Sequence, residues 1–362
     1  MNSDVKKRLR RLFSSANVDA IILQKSEPTG DFDFHAFTGI KNSSMCYSTA
    51  VLFPDKIHLI CAKLEEEEAK YSEYDYTLTG KDALRSIIQQ CKKIGVNGAK
   101  CSYQTALQLK DNGYKLKDVG ELLNAKKRIK NPSEIIAMTK ACAIASQVAD
   151  KIPHWLTVGM TEQELAARIE YEMKMQGSQF PAFETIVAFG KNSAIPHYQP
   201  RNQKLKEDMI VLCDFGATVD YLRSDITRTY FFGIPSKKFK EMYSLVLDTQ
   251  EKCIQELKSH RVNGLYKYAV KTINSHLKAL KMNGTMNHGL GHGLGYDVHE
   301  DRIINLDTAS LDVNSVTTVE PGAYVPGYGG VRIEDDILIT KSGINSLTFA
   351  KKKWNDIVIP LR

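Results

Sequence analysis

The sequence lacks the features that mark membrane, secreted and nucleotide-binding proteins. No apolar run has the roughly 20 residues that span a bilayer, and no signal-peptide core follows Met1. The seven cysteines include no C-x-x-C pair, and no G-x-G-x-x-G loop occurs. These absences predict a protein of the reducing cytoplasm that binds neither membranes nor dinucleotides.

Charge of one sign is also scarce. The chain has 49 Lys and Arg against 42 Asp and Glu, a net charge of +7. No basic stripe with interleaved aromatic residues occurs, so nucleic-acid binding is not expected. The short run "KKRLRR" at 6–11 is followed by Leu12 and Phe13 at helical spacing, which is typical of the solvated face of a helix.

Two domains are predicted, at residues 1–127 and 128–362, because 362 residues exceed one typical core. The first part alternates β-type apolar runs with helical patterns, and "AVLFPDKIHLIC" at 50–61 indicates a hairpin with Pro-Asp at its turn. A basic stretch then leads to "NPSE" at 131–134. This motif combines an N-cap, a proline at the first helical position and a capping-box glutamate, so we expect a long helix to open the second domain. Thr161 and Glu164 repeat the capping-box pattern and predict a further helix start.

Two aspartates in "MIVLCDFGATVDYLRSDITRTYFFG", residues 209–233, need a counter-charge. The run "IVLCDF" is apolar on both faces, which predicts a buried strand that carries Asp214 into the interior. A turn centred on Val219-Asp220 would place Asp225 directly opposite Asp214. Like charges at that distance are costly unless a cation lies between them. A turn or capping role for one aspartate is the alternative.

Two glutamates follow in "VTTVEPGAYVPGYGGVRIEDDILIT", residues 316–340. Glu320 ends a β-branched run that Pro-Gly interrupts, and Glu334 lies in a second predicted strand. Because side chains alternate along a strand, Arg332 shares a face with Glu334 and could orient an acidic ligand there. A surface ion pair is the alternative.

Three of the nine histidines occur in "NHGLGHGLGYDVHE", residues 287–300. Its glycines disfavour a helix, since each costs about 1 kcal/mol there relative to alanine, and they allow backbone to approach closely. His292 could bind a metal, and His288 and His299 could donate to a developing oxyanion. Structural roles for the histidines are the alternative.

These residues together could form one metal site. Four carboxylates would balance two divalent cations, and without cations they would raise one another's pKa values. Oxygen-rich ligation with one imidazole and no thiolate suits Mn²⁺ or Co²⁺, with Fe²⁺ and Zn²⁺ as alternatives. Two such ions polarise a carbonyl and lower the pKa of a bridging water, which equips a site for hydrolysis.

The order and spacing of these motifs resemble the pita-bread metallopeptidases, most closely the prolidase and aminopeptidase P branch. The resemblance runs from "RIKNPSE" to the C-terminus and includes "AFETIVAFG", "IPHY", "VLCDFG", "SDITRTYFFG", "HGLGHGLGYDVHE", "TTVEPGAY" and "GVRIEDDI". It implies a mixed α/β (α+β) chain. A creatinase-type α/β domain is followed by a pita-bread domain with a curved antiparallel sheet flanked by helices.

The function implied by the resemblance is that of a dinuclear-metal Xaa-Pro dipeptidase, in which a metal-bridging hydroxide attacks the scissile carbonyl of a dipeptide. Aminopeptidase P, which acts on longer Xaa-Pro peptides, is the alternative. A binding protein on the same fold that has lost catalysis is a further one, and a homodimer is expected.

The resemblance also implies residue roles. Asp225 and Glu334 are similar to ligands that bridge both ions, and Glu320 is similar to the ligand that handles the proton of the attacking water. His197, in "IPHY", His288 and His299 match histidines that contact substrate. The full set of expected metal ligands is Asp214, Asp225, His292, Glu320 and Glu334.

Three further positions complete the expected site. Arg332 matches an arginine that orients a ligand, and Phe183 matches an aromatic residue of the proline pocket, with a core role as its alternative. Relatives often read His-Glu-x-Pro-Arg where this chain has "HEDRII". Arg302 could still hold a dipeptide's carboxylate, and an ordinary surface arginine is the alternative.

Overall fold

The computed structural model describes residues 1–25, 32–41, 43, 45–260, 262–300 and 311–361. The chain divides into two compact units, Met1–Lys127 and Arg128–Arg362. None of the helices within the described ranges combines the length and apolarity needed to cross a membrane. All seven cysteines are free thiols.

The first unit contains a six-stranded mixed sheet with helices. Its strands are β1 (Ala20–Lys25), β2 (Ser48–Leu52), β3 (Ile57–Cys61), β4 (Asp75–Leu78), β5 (Lys93–Val96) and β6 (Lys115–Asp118). Its helices are α1 (Ser3–Ala16), α2 (Asp33–Thr38), α3 (Glu66–Tyr71), α4 (Ala83–Ile88), α5 (Tyr103–Asp111) and α6 (Gly120–Arg128), the last of which ends one residue into the second unit.

The strand order in this sheet is β4-β3-β2-β1-β5-β6. Strands β1, β2 and β3 are antiparallel neighbours, which confirms the hairpin predicted at 50–61. The remaining pairs are parallel. In α1 the basic run faces solvent except at Arg8, whose guanidinium is buried and donates to the Ala36 carbonyl over 2.7 Å.

Two helices of the second unit begin where the capping motifs predict. Asn131 and Thr161 each cap a helix, and Glu134 and Glu164 complete the two capping boxes. The helices are α7 (Pro132–Trp155), α8 (Glu162–Met175), α9 (Lys237–Leu257), α10 (Leu265–Ala279) and α11 (Trp354–Ile357).

The strands of the second unit form several small, mainly antiparallel sheets. They are β7 (Ile186–Phe189), β8 (Met209–Phe215), β9 (Thr218–Val219), β10 (Leu222–Arg223), β11 (Ile226–Phe232), β12 (Val316–Val319), β13 (Gly322–Val325), β14 (Gly329–Arg332), β15 (Asp335–Thr340), β16 (Gly343–Ser346) and β17 (Val358–Ile359). The sheets are ordered β17-β11-β8-β7, β12-β15-β16, β13-β14 and β9-β10.

One large apolar cluster joins these sheets to the helices around them. It includes Phe215 of β8, Val246 of α9 and Ile273 of α10, all fully buried. Cys213 of β8 is also fully buried in this cluster. The carboxylates described next lie within or directly beside strands whose apolar side chains anchor them in a rigid core.

Candidate metal centre

Strand β8 carries Asp214, and Asp225 directly precedes β11, the antiparallel neighbour of β8. Asp214 lies opposite Thr227, two residues after Asp225, so the two aspartates are diagonal neighbours. The prediction that the two aspartates lie directly opposite each other is therefore wrong. The turn residues are Asp220 and Tyr221, both with positive φ (52° and 64°), and this turn shifts the register by two.

The glycine-rich segment runs beside β12 and is not helical over 287–300, as predicted. The His292 backbone N–H donates to Thr318 Oγ1 over 3.1 Å, and the Thr318 N–H donates to the His292 carbonyl over 2.9 Å. A Cβ on Gly291 would lie 2.0 Å from the Thr318 carbonyl oxygen. Glycine at 291 is thus required for His292 to reach the position beside Glu320.

Three of the predicted ligands, Asp225, His292 and Glu334, have donor atoms that all lie within 4.8 Å of one another. His292 Nε2 is 3.7 Å from Asp225 Oδ2 and 3.5 Å from Glu320 Oε1. Glu334 is held by Thr227, whose hydroxyl donates to Glu334 Oε2 over 2.7 Å. The structure therefore brings residues from four separate segments to one point.

Burial and mutual repulsion change the acidity of these groups. Burial raises the pKa of Glu320 to about 8, although nearby Arg332 opposes the shift. Burial, followed by repulsion from neighbouring carboxylates, raises the pKa values of Asp225 and Glu334 well above the usual range. Burial lowers the pKa of His292 to about 3, so its imidazole is neutral at pH 7.

The chemistry of this donor set fits a divalent cation. Asp214 Oδ1 and Asp225 Oδ1 are buried and have no hydrogen-bond partner among the described residues. Buried carboxylate oxygens without partners are costly unless a cation satisfies them. The neutral imidazole of His292 lies beside them and offers a nitrogen ligand that such an ion accepts.

A hydrogen-bonded chain behind the carboxylates involves Tyr324, which the sequence interpretation did not single out. Arg332 Nη2 donates to Asp214 Oδ2 over 2.5 Å, and Nη1 donates to Tyr324 Oη over 2.7 Å. Tyr324 Oη lies 2.8 Å from His288 Nε2, and His288 Nδ1 lies 2.7 Å from the Gly289 carbonyl. Arg332 and Glu334, which were predicted to share a strand face, are linked through Thr227. Arg332 Nε donates to the Thr227 hydroxyl over 3.0 Å, and that hydroxyl donates to Glu334.

A cavity of about 520 Å³ opens onto these groups. Phe183, His197, His288 and His299 line it together with all five predicted ligands. The rings of His292 and His299 lie 4.2 Å apart between centroids. Arg302 lies outside the described residues.

Glu162, at the start of α8, is a second residue that the sequence interpretation did not single out. Its fully buried carboxylate accepts hydrogen bonds from the Phe189 and Arg201 N–H groups and from the Tyr198 hydroxyl. It thereby anchors the segment that carries His197. The only local signal was a glutamate inside a capping motif, which is common at exposed helix starts.

Comparison with known proteins places this arrangement in a family. Residues 136–341 match the model of Metallopeptidase family M24. The chain is 35% identical over 275 residues to the Xaa-Pro dipeptidase of Pyrococcus horikoshii, which covers 75% of this chain and 77% of that protein.

Solved structures show the same likeness. The prolidase of Pyrococcus horikoshii aligns with a TM-score of 0.84 at 32% identity, over 97% of this chain and 99% of that one. The X-Pro aminopeptidase of Thermotoga maritima aligns with a TM-score of 0.86 at 27% identity, over 98% and 99%. The predicted pita-bread fold is confirmed by these matches. The chain therefore belongs to metallopeptidase family M24, in the prolidase branch that its motifs predicted, and is a hydrolase.

Proposed function

We propose that this protein is an Xaa-Pro dipeptidase that binds two divalent metal ions per chain. The observation that carries the proposal is the convergence of four carboxylates and His292 in one cavity, with three further histidines on its wall. The 35% identity to an Xaa-Pro dipeptidase supports the substrate class.

The metal ligands in this proposal are Asp214, Asp225, His292, Glu320 and Glu334. Asp225 and Glu334 would hold the ions together with the other three residues, and Mn²⁺ or Co²⁺ is the favoured metal, with Fe²⁺ or Zn²⁺ as alternatives. When bound, the ions would act as Lewis acids toward the scissile carbonyl and would make a water molecule acidic enough to attack it at neutral pH.

Glu320 is the proton-transfer group in this proposal. Its side chain is 17% exposed and lines the cavity. A carboxylate on the cavity wall can accept a proton from the attacking water and return it to the leaving nitrogen. The proline nitrogen lacks an N–H while it is in the peptide bond, and it leaves as an amine after protonation.

The three cavity histidines would contact the substrate around its carbonyl. Burial lowers the pKa of His288 to about 4, so it acts as a neutral hydrogen-bonding group. Its two ring nitrogens face Gly289 O and Tyr324 Oη, and it can reach substrate only by exchanging the Gly289 contact. His197 and His299 are exposed and line the cavity.

Substrate shape is selected by apolar and charged groups in this proposal. Phe183 would contact the proline ring, since a slot lined by an aromatic side chain accepts an apolar ring that cannot donate a hydrogen bond. Arg332 would hold Asp214 in place, and Arg302 would bind the free carboxylate of a dipeptide.

A test of this function compares peptides of two lengths. Purified protein loaded with Mn²⁺ should hydrolyse Ala-Pro faster than Ala-Pro-Ala-Ala, and Asp214→Asn should abolish both reactions. Aminopeptidase P remains the second candidate, because the Thermotoga maritima X-Pro aminopeptidase aligns with a TM-score of 0.86. Preference for the tetrapeptide would favour it, and no hydrolysis with either peptide after metal loading would contradict both candidates.

We also propose that residues 1–127 form a creatinase-type domain and that residues 128–362 form the catalytic domain. The protein is a cytoplasmic homodimer in this proposal, and its substrates are Xaa-Pro dipeptides. The seven free thiols support a reducing compartment. Light scattering on the purified protein measures the oligomeric state directly.

A further inference from the structure

A buried ion pair lies behind the loop that carries His299. Lys130 Nζ and Glu300 Oε2 are 2.5 Å apart, and their side chains are 0% and 2% exposed. Neither residue belongs to the proposed ligand set, and neither lines the cavity. A buried ion pair is weak evidence for stability, because desolvation offsets its attraction. A pair of this kind can instead hold neighbouring groups in position.

The Glu300 carboxylate closes this loop on itself. Glu300 Oε1 accepts from the Tyr296 backbone N–H over 3.0 Å, and the Glu300 N–H donates to the Gly293 carbonyl over 2.9 Å. Within the loop, the Gly295 N–H donates to the Asp297 carbonyl over 3.1 Å. Glu300 is therefore hydrogen-bonded through its backbone to Gly293 and through its side chain to Tyr296.

Lys130, the other member of the ion pair, lies just before the start of α7. The Lys130 backbone N–H donates to the Asn314 carbonyl over 2.8 Å. Tyr296 Oη donates to Glu134 Oε1 over 3.0 Å, and Glu134 is the buried capping-box residue of α7. The loop is thus attached at two points to a capped helix end, which is a rigid support.

Gly295 fits this arrangement sterically. A Cβ at 295 would lie 2.3 Å from Glu300 Oε1 and 2.5 Å from Lys130 Nζ, so any side chain would displace the ion pair. His299 directly precedes Glu300, and its ring packs against that of His292. A shift of Glu300 consequently moves the His299 imidazole relative to the metal ligands.

We propose that Glu300, held by Lys130, is a positioning residue that fixes the His299 imidazole for contact with the substrate carbonyl. This inference rests on the proposed function. A displacement of about 1 Å at a catalytic group can lower the rate about 10²-fold. The ion pair acts through His299 and does not itself touch substrate.

The test uses two nearly isosteric variants of the metal-loaded enzyme. Glu300→Gln keeps an acceptor for the Tyr296 N–H but removes the charge, and Lys130→Met keeps the length but removes the ammonium group. Each should lower kcat/KM for Ala-Pro about 10–100-fold, mainly through kcat, with bound Mn²⁺ unchanged. The double variant should lose no more than the poorer single variant, because the two groups act as a unit.

A matched control breaks a buried ion pair in the first unit. Lys127 and Asp33 form such a pair, with side chains 1% and 0% exposed. Lys127→Met should lower Tm yet leave kcat/KM unchanged when it is assayed below the unfolding temperature. Equal losses of kcat/KM in Lys127→Met and Lys130→Met would mean that general destabilisation explains both, and would overturn the positioning role.

A second readout is independent of activity. In ¹⁵N-histidine NMR spectra of the metal-free protein, the His299 signal, assigned with His299→Asn, should shift in Glu300→Gln while the His260 signal stays in place. Should Glu300→Gln not fold, Gly295→Ala displaces the pair without removing a charge and should shift the same signal. An unmoved His299 signal with wild-type kcat/KM overturns this inference alone, whereas a wild type that cleaves no Xaa-Pro peptide overturns the proposed function as well.

Discussion

Arg332 and Asp214 are joined by a charge-assisted hydrogen bond of 2.5 Å between two side chains that are 4% and 12% exposed. The same guanidinium also donates to Thr227 and Tyr324. One planar group with several donors therefore orients a proposed ligand, a strand residue and the tyrosine next to His288. Lysine carries the same charge but cannot reproduce this geometry.

We expect Arg332→Lys to lower kcat/KM for Xaa-Pro cleavage about 10–100-fold, because Asp214 loses its orienting partner. Steady-state kinetics with metal analysis checks this, and the variant should retain most of its bound metal. Arg201→Lys is the control, since Arg201 lies over the Tyr198 ring outside the proposed ligand set and is exposed. Wild-type kinetics in Arg332→Lys would contradict an orienting role.

The metal-free protein should become less stable between pH 7 and 8. Burial raises the folded-state pKa of Glu320 to about 8 against 4.5 for the free group, so the folded state holds a proton that the unfolded state has released. The resulting stability is complete below pH 4.5 and disappears as pH rises through 8. The slope should be on the order of 1 kcal/mol per pH unit for one such group.

This pH window avoids the histidines, because His288 and His292 have lowered pKa values and contribute changes only below about pH 7. Urea unfolding after chelation measures the slope, and Glu320→Gln should reduce it. Saturating Mn²⁺ at 100 times its Kd should add about 2.7 kcal/mol per site to the free energy of unfolding. Rising stability of the chelated protein over this window would refute the prediction.

Phe183→Ala should weaken substrate binding by removing an apolar wall of the cavity. We expect kcat/KM for Ala-Pro to fall about 10-fold or more, chiefly through KM, because apolar contacts hold substrate and transition state alike. Kinetics with Ala-Pro measures the effect. Phe349→Ala, at a phenylalanine that is 58% exposed, is the matched control and should leave the kinetics unchanged. Equal kinetics in the two variants would remove Phe183 from the substrate pocket.

Gly291→Ala should impair both stability and metal binding. The new methyl group would meet the Thr318 carbonyl oxygen at 2.0 Å, so the segment that carries His292 must move away from β12. Overpacking of this kind costs roughly 1–3 kcal/mol. Gly80→Ala, where the nearest atom is 4.0 Å away, is the control and should be close to neutral. Thermal unfolding and metal titration compare the pair, and normal Mn²⁺ affinity in Gly291→Ala would contradict the steric argument.

Much of the site could be predicted because its residues break a local pattern. Asp214 interrupts an apolar strand, Glu320 ends one, and His292 lies among glycines that no helix would tolerate. Each is costly in its own surroundings without a partner, and the sequence displays that conflict. Capping boxes likewise predicted where α7 and α8 begin, because all their contacts lie within four residues.

What could not be predicted depends on long-range partners or on backbone geometry. The Lys130–Glu300 pair spans 170 residues, and neither residue differs locally from a surface charge. Tyr324 has the sequence context of an ordinary strand residue, and its contacts with Arg332 and His288 become visible only in the folded chain. The register of the β8–β11 hairpin depends on a turn at Asp220 and Tyr221, which both have positive φ. Because neither residue is glycine, the sequence does not mark the position of this turn.

We propose that five side chains from separate segments hold two metal ions. Anomalous diffraction from crystals grown with Mn²⁺ tests it most directly. We predict two peaks about 3.5–4 Å apart, ligated by Asp214, Asp225, His292, Glu320 and Glu334. Crystals that show no peak at these residues under saturating Mn²⁺, or that bind the ion elsewhere, would contradict the account.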